Sequence, residues 1–229
     1  MYYSSQPSLL PPVMLHDMIV LLNVISIPLR SFMHGAKMNI GIYIYENAEV
    51  LDFSGPFEVF STAKRLHAKD WDIFLIAETS APVTARGGFQ VLPHYSFNDH
   101  PHIDVLIVVG GIHTEEMNKA EVLAWIKHVD TTATHVVSVC TGVFLLAKAQ
   151  LFNQLFVTTH WEDIPILIET FPNLNVIDNK RWVCDGKYVT SGGISAGIDM
   201  SLYLVSKLHS LVLAEQVAHQ MEYHWQQCP

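Results

Sequence analysis

The apolar run at residues 105–109 (VLIVV), closed by Gly110-Gly111, constrains this chain more than any other feature. A strand without a polar face has to be covered on both sides, which is the situation of a parallel strand flanked by helices. The neighbouring segments agree. Val122, Trp125, Ile126 and Val129 fall at i, i+3, i+4 and i+7 and mark one apolar helix face. Residues 136–139 form another buried strand, followed by a short apolar helix over 141–149. Upstream, residues 39–45 (NIGIYIY) and 72–77 (DIFLIA) have the β-branched and aromatic content of strands. Between them Ser54-Gly55-Pro56 offers an N-cap and a first-turn proline for a helix over 56–66. Gly87-Gly88 marks a turn between short extended pieces, and residues 198–208 and 214–223 close the chain as helices. Strands separated by helices predict an α/β fold, a doubly wound, flavodoxin-like sandwich around a mostly parallel sheet.

Residues 38–229 are expected to form this domain as a unit, since 229 residues suffice for one sizeable core and no repeat or long linker intervenes. Residues 1–37 are expected to be an extension outside the core. Their apolar stretch, residues 18–29, is shorter than the ~20 residues a membrane-spanning helix needs. The residues before it lack the basic start of a secretory signal. A peripheral membrane anchor is the alternative for this stretch. A formal net charge of −9 repels a phosphate backbone and argues against general nucleic-acid binding. Three cysteines, Cys140, Cys184 and Cys228, without a CxxC pair speak against a disulfide framework or a cysteine zinc site. A reducing cytoplasm fits that count. The thirteen histidines show no metal-binding spacing, so neither metal nor cofactor is expected.

The chemistry points to Val136-Val137-Ser138-Val139-Cys140-Thr141-Gly142. A cysteine between a buried strand and a helix stands at a nucleophile elbow, where small neighbours permit the tight turn. The helix N-terminus is expected to lower the thiol pKa and favour thiolate. The backbone amides of Gly110 and Gly111, ending a neighbouring strand, are candidates for an oxyanion hole. Both features lie at carboxyl ends of strands, where open α/β sheets bind ligands. The plainer alternatives are an inert core cysteine and an ordinary strand-ending turn.

Five segments in order carry a resemblance: GIYIYENAEVLDFSGPFEVF, VVGG, VCTGVFLLAKAQLF, TTHW and VTSGGISAGIDMSLYLV. Together they resemble the ThiJ/PfpI superfamily, which has the class I glutamine amidotransferase-like fold, over nearly all of residues 38–225. Within it the chain is most similar to isonitrile hydratases and to the ligand domains of AraC-type regulators. The resemblance to hydratases implies that Cys140, Thr141 and Asp52 carry catalysis on a small molecule, and the resemblance to the wider superfamily implies that His160 lines the site and that the protein is a homodimer. From its position Asp52 follows the first strand, on the same side as Cys140. A thiolate beside it would raise its pKa by like-charge repulsion and fit it for proton transfer. Otherwise Asp52 is a loop or helix-start residue, Thr141 a small elbow residue and His160 a structural histidine.

Departures narrow the activity. No His-x-Glu stands near Ser191-Gly192-Gly193, so the glutaminase triad is not expected. Thr141 stands where PfpI-type peptidases carry a histidine. The chain as given ends at Pro229, without the DNA-binding domain that AraC-type regulators use. The leading expectation is hydration of an isonitrile through a covalent thioimidate on Cys140. The alternatives are a glyoxalase or deglycase, and a ligand- or redox-sensing domain.

Overall fold

The computed structural model describes residues 37–229, so the reading of the N-terminal extension falls, but for Lys37, outside the described residues. In chain order, β1 (Met38–Tyr43) leads through α1 (Val50–Leu66) to β2 (Trp71–Ala77). A small hairpin, β3 (Val83–Ala85) and β4 (Phe89–Val91), precedes the short β5 (Tyr95–Ser96). Then come β6 (Val105–Val108), α2 (Ala120–Asp130), β7 (His135–Val139) and α3 (Gly142–Lys148). The parallel pair β8 (Phe156–Val157) and β9 (Asn175–Val176) brackets α4 (Ile164–Thr170). The hairpin β10 (Trp182–Asp185) and β11 (Tyr188–Ser191) feeds α5 (Ala196–Leu208) and α6 (Leu211–Gln220).

The main sheet runs β10-β11-β7-β6-β1-β2-β5 and is parallel at every pairing except the β10–β11 edge. The apolar runs read as doubly covered strands are central. Ile40, Ile42, Leu106, Ile107, Val136 and Val137 are fully buried. Helix α1 packs with α5 and α6, and α2 packs with α3. The chain moves outward from β1 through β2, then returns to the other side of β1 with β6. That reversal opens a crevice at the carboxyl ends of β1 and β6, where doubly wound folds bind ligands.

One boundary differs in a way that matters for the site. Helix α1 begins at Val50, with Glu49 at its N-cap, and runs through Pro56. Ser54 does not cap it; its hydroxyl donates back to the Val50 carbonyl at 2.8 Å. Pro56 has no N–H to offer the Asp52 carbonyl, a loss tolerated because Phe53, Val59 and Phe60 bury the helix face. Asp52 therefore stands in the first turn of α1 rather than in a loop.

Candidate active site

Cys140 sits between β7 and α3 with φ at +54°, a left-handed conformation that costs energy in a residue with a Cβ. The surroundings hold it there. Its N–H is shared by the carbonyls of Ser191 and Gly192 at 3.2 and 3.3 Å, and its carbonyl accepts the Thr159 hydroxyl at 2.9 Å. The elbow is thus tied to the loop after β11 and to the segment after β8.

Asp52 is fully buried beside it. Its Oδ2 accepts the Gly110 N–H at 3.0 Å, whereas among the described residues Oδ1 has no partner of hydrogen-bond geometry. Burial raises this carboxyl from an ordinary 3.8 to about 7. The Gly110 bond and the interaction with the Cys140 thiol oppose that rise, and the Glu49 carboxylate adds to it. The favourable N-terminal end of α1 does not outweigh desolvation. The direction matches the expectation from sequence, but the cause is burial rather than repulsion by a thiolate.

The thiol departs from expectation. Burial first, and the Asp52 charge second, push the Cys140 thiol well above the usual cysteine range. Hydrogen bonding from the Thr141 and Ile194 backbone stabilises the sulfur's charged form but does not overcome them. Helix α3 spans only seven residues, and its dipole is too weak to hold a thiolate in a buried setting. Cys140 rests as a neutral thiol against a carboxyl that titrates near neutrality.

The two glycine amides read as an oxyanion hole are already engaged. Gly110 N–H holds Asp52, and Gly111 N–H donates to the Thr141 hydroxyl at 3.0 Å. Thr141 returns a bond to the Gly111 carbonyl at 3.1 Å. In this arrangement both donors are engaged by side chains of the site itself, Asp52 and Thr141. Gly110 has to be glycine here: a Cβ would lie 2.6 Å from the Thr141 nitrogen and 2.8 Å from Asp52 Oδ2.

A cavity of about 290 Å³ opens over Cys140 and Thr141, with Gly111, His113, His160 and Ile194 on its walls and Glu49 with Arg86 at its rim. His160 accepts the Glu162 N–H on its Nδ1 at 3.4 Å, with the Asp163 carboxylate 3.5 Å from the same nitrogen, and its ring presses on Gly193, where a Cβ would come within 1.9 Å. Cys140, Thr141, Gly111 and His160 therefore share one cavity, while Asp52 and Gly110 lie against the elbow behind it. The residues not foreseen are Ile194, which adopts φ of +51° and offers backbone to the sulfur, and the Glu49–Arg86 ion pair at 3.2 Å. The Ser191-Gly192-Gly193 run was the available signal for the first.

The sequence profile of the DJ-1/PfpI family matches residues 38–207. The chain belongs to this family. An isonitrile hydratase of Pseudomonas putida, also similar to it, is 35% identical over 188 residues, covering 81% of this chain and 78% of that enzyme. The helix-turn-helix transcriptional regulator CdhR of Pseudomonas aeruginosa is 29% identical over 171 residues. That match covers 75% of this chain and 51% of the regulator, so the chain spans about half of the regulator's length. A crystal structure of a ThiJ/PfpI family protein from Pseudomonas syringae superposes with a TM-score of 0.75 at 27% identity, covering 84% of this chain and 78% of that one. The DJ-1/PfpI assignment is the one the five sequence segments imply. Among the described residues no helix is long and apolar enough to cross a membrane, and no cluster of three or more metal-ligating side chains is present.

Proposed function

We propose that this protein hydrates an isonitrile to the N-substituted formamide, with Cys140 as nucleophile and Asp52 as proton carrier. The observation that supports this best is the pairing of a neutral thiol with a buried carboxyl poised at about 7. Near neutrality such a carboxyl exists in both forms, so it can take a proton and return it within one turnover. In the first step the Asp52 carboxylate removes the thiol proton as sulfur bonds to the terminal isonitrile carbon. Asp52 then protonates that carbon, giving the thioimidate R–N=CH–S–Cys140. Asp52 takes a proton from water as the water oxygen bonds to the same carbon and passes that proton to the nitrogen, giving R–NH–CH(OH)–S–Cys140. As the carbon–sulfur bond breaks, the hydroxyl proton moves through Asp52 to the sulfur, restoring the thiol, and R–NH–CHO leaves. The Thr141 and Ile194 amides support negative charge on sulfur at the first and last steps.

The similarity to the Pseudomonas putida hydratase favours this reading over the aldehyde chemistry of a glyoxalase. The test is turnover of the purified full chain with cyclohexyl isonitrile and with methylglyoxal in parallel, following formamide and lactate. Formamide production that vanishes in Cys140→Ser supports the proposal, because a serine hydroxyl is too weakly acidic for a carboxylate of this kind to activate. Lactate alone points to aldehyde chemistry. Isonitrile binding without either product makes the domain a sensor, the role that the likeness to the regulator would explain.

A further inference from the structure

Ile194 stands in the turn between β11 and α5 with φ at +51°. A β-branched side chain is strongly disfavoured in that left-handed region. Of the described residues with positive φ, glycines aside, it is the one that is β-branched. Gly192 and Gly193 precede it directly, and a third glycine would make the same turn without strain. The backbone therefore has no need of an isoleucine here. Its N–H reaches the Cys140 sulfur and its carbonyl accepts the Gly197 N–H at 3.3 Å, bonds that a glycine would also make.

The core does not require the side chain either. At 36% exposure Ile194 is among the large hydrophobic residues left at the surface, and it lines the cavity over Cys140. Ile112, which follows β6, lines the same cavity and is 51% exposed. The His113 ring, also on the wall, packs on Phe144 with centroids 4.4 Å apart. Burial lowers its pKa, so it adds a neutral surface near pH 7. The charged side chains of the wall are engaged with one another. Glu49 pairs with Arg86 at 3.2 Å, and Glu162 and Asp163 lie 3.9 and 3.5 Å from His160 Nδ1. What remains to meet the carbon atoms of a ligand is aliphatic. A volume of about 290 Å³ is at the small end for ligand cavities, which run roughly 300–1,000 Å³.

We propose that Ile194 is a specificity-determining residue, its side chain receiving the carbon substituent of the substrate, a compact aliphatic group of about cyclohexyl size. A strained backbone persists where the site makes use of it. This inference deepens the isonitrile reading and rests on it for the reacting group. The contact with the substituent is independent of which electrophile the cysteine attacks.

Two readouts on the full chain test it. The first is alkylation of Cys140 by N-cyclohexyliodoacetamide and by iodoacetamide, each rate divided by that of the exposed Cys228 in the same chain and resolved by peptide mass spectrometry. Any change in the reactivity of the sulfur itself enters both reagents and cancels in their ratio. Ile194→Gly should lower the cyclohexyl-to-parent ratio about tenfold, the usual worth of a small apolar contact. Ile194→Asn, which tolerates a left-handed φ but offers a polar wall, should lower it similarly, whereas Ile194→Val should keep most of it. The second readout is kcat/KM for cyclohexyl isonitrile relative to methyl isonitrile, expected to fall by the same factor in Ile194→Gly. The Tm of Ile194→Gly should stay within about 2 °C of wild type or rise, because relief of strain offsets the extra freedom of glycine in the unfolded chain. An alkylation ratio in Ile194→Gly equal to that of wild type overturns the proposal. A higher ratio also does so, making Ile194 a gate that the substituent has to pass. A Tm lowered by more than about 5 °C overturns it as well, since the side chain would then serve packing. Should the alkylation ratio fall while the wild type turns over no isonitrile, the isonitrile reading fails and Ile194 keeps its role. Should isonitriles be turned over with an unchanged cyclohexyl-to-methyl ratio in Ile194→Gly, this inference fails and the isonitrile reading stands.

Discussion

Replacing Asp52 by asparagine separates burial of an acid from every other explanation of the site. A carboxyl displaced from 3.8 to about 7 is harder to ionise in the folded protein than in the unfolded chain by about 4 kcal/mol. Below pH 3.8 both states keep the proton and Asp52 adds no pH dependence. As pH climbs toward 7, the unfolded chain sheds its proton while the folded protein retains it, so stability falls. Above about 7 both are ionised and the full cost is present. Asparagine has no proton to lose, and its Oδ1 can accept the same Gly110 N–H. The unfolding free energy of Asp52→Asn minus that of wild type should therefore grow by about 2–3 kcal/mol between pH 5 and pH 8.5. Any pH-independent effect of the substitution cancels in that comparison. Urea titrations at the two pH values measure it directly. A difference that stays flat would refute the claim that burial controls this carboxyl. Turnover of the same variant should drop by roughly 10²–10⁴, the usual worth of general acid–base catalysis. Retained turnover with the expected stability change would leave Asp52 buried but outside the chemistry.

Two glycines give further checks. Gly110→Ala places a methyl group against Thr141 and Asp52 and should destabilise the fold by about 1–3 kcal/mol, read by thermal or urea unfolding, with activity lost in the folded fraction. An active, fully stable Gly110→Ala would mean the packing behind the sulfur is looser than described. Gly193→Ala should drive His160 from its place and raise KM about tenfold with a smaller effect on kcat, provided His160 contacts the bound substrate. An unchanged KM would make His160 a structural residue.

The sheet was legible because its central strands are apolar on both faces and several of the segments between them carry a helical period. Val122, Trp125, Ile126 and Val129 all proved buried on α2, as their spacing demanded. The start of α1 was misjudged because Ser54 and Pro56 imitate a helix start, while the real one, at Glu49 and Val50, has no side-chain cap to announce it. Cys140, Asp52 and Thr141 were legible as neighbours from topology and from the resemblance. Their electrostatics were not, since a pKa depends on desolvation by residues distant in sequence. Nor was the engagement of Gly110 and Gly111, which depends on where two side chains from other elements end.

A neutral resting thiol also changes what this cysteine meets in an oxidising environment. Peroxide is attacked by thiolate, so a cysteine permanently ionised by a helix dipole would be oxidised wherever peroxide reached it. Cys140 is only 7% exposed and is protonated until Asp52 can take its proton. Its oxidation to sulfenic acid should then follow the ionisation of Asp52, being slow near pH 5.5 and faster by at least about tenfold near pH 8.5. In Asp52→Asn that rise should shrink, since the internal base is gone. The measurement is the fraction of Cys140 captured by dimedone after brief exposure to dilute hydrogen peroxide, with catalase ending each time point. Cys140 oxidised as quickly at pH 5.5 as at pH 8.5 would show a standing thiolate, and the account of the site as a proton-sharing pair would have to be abandoned.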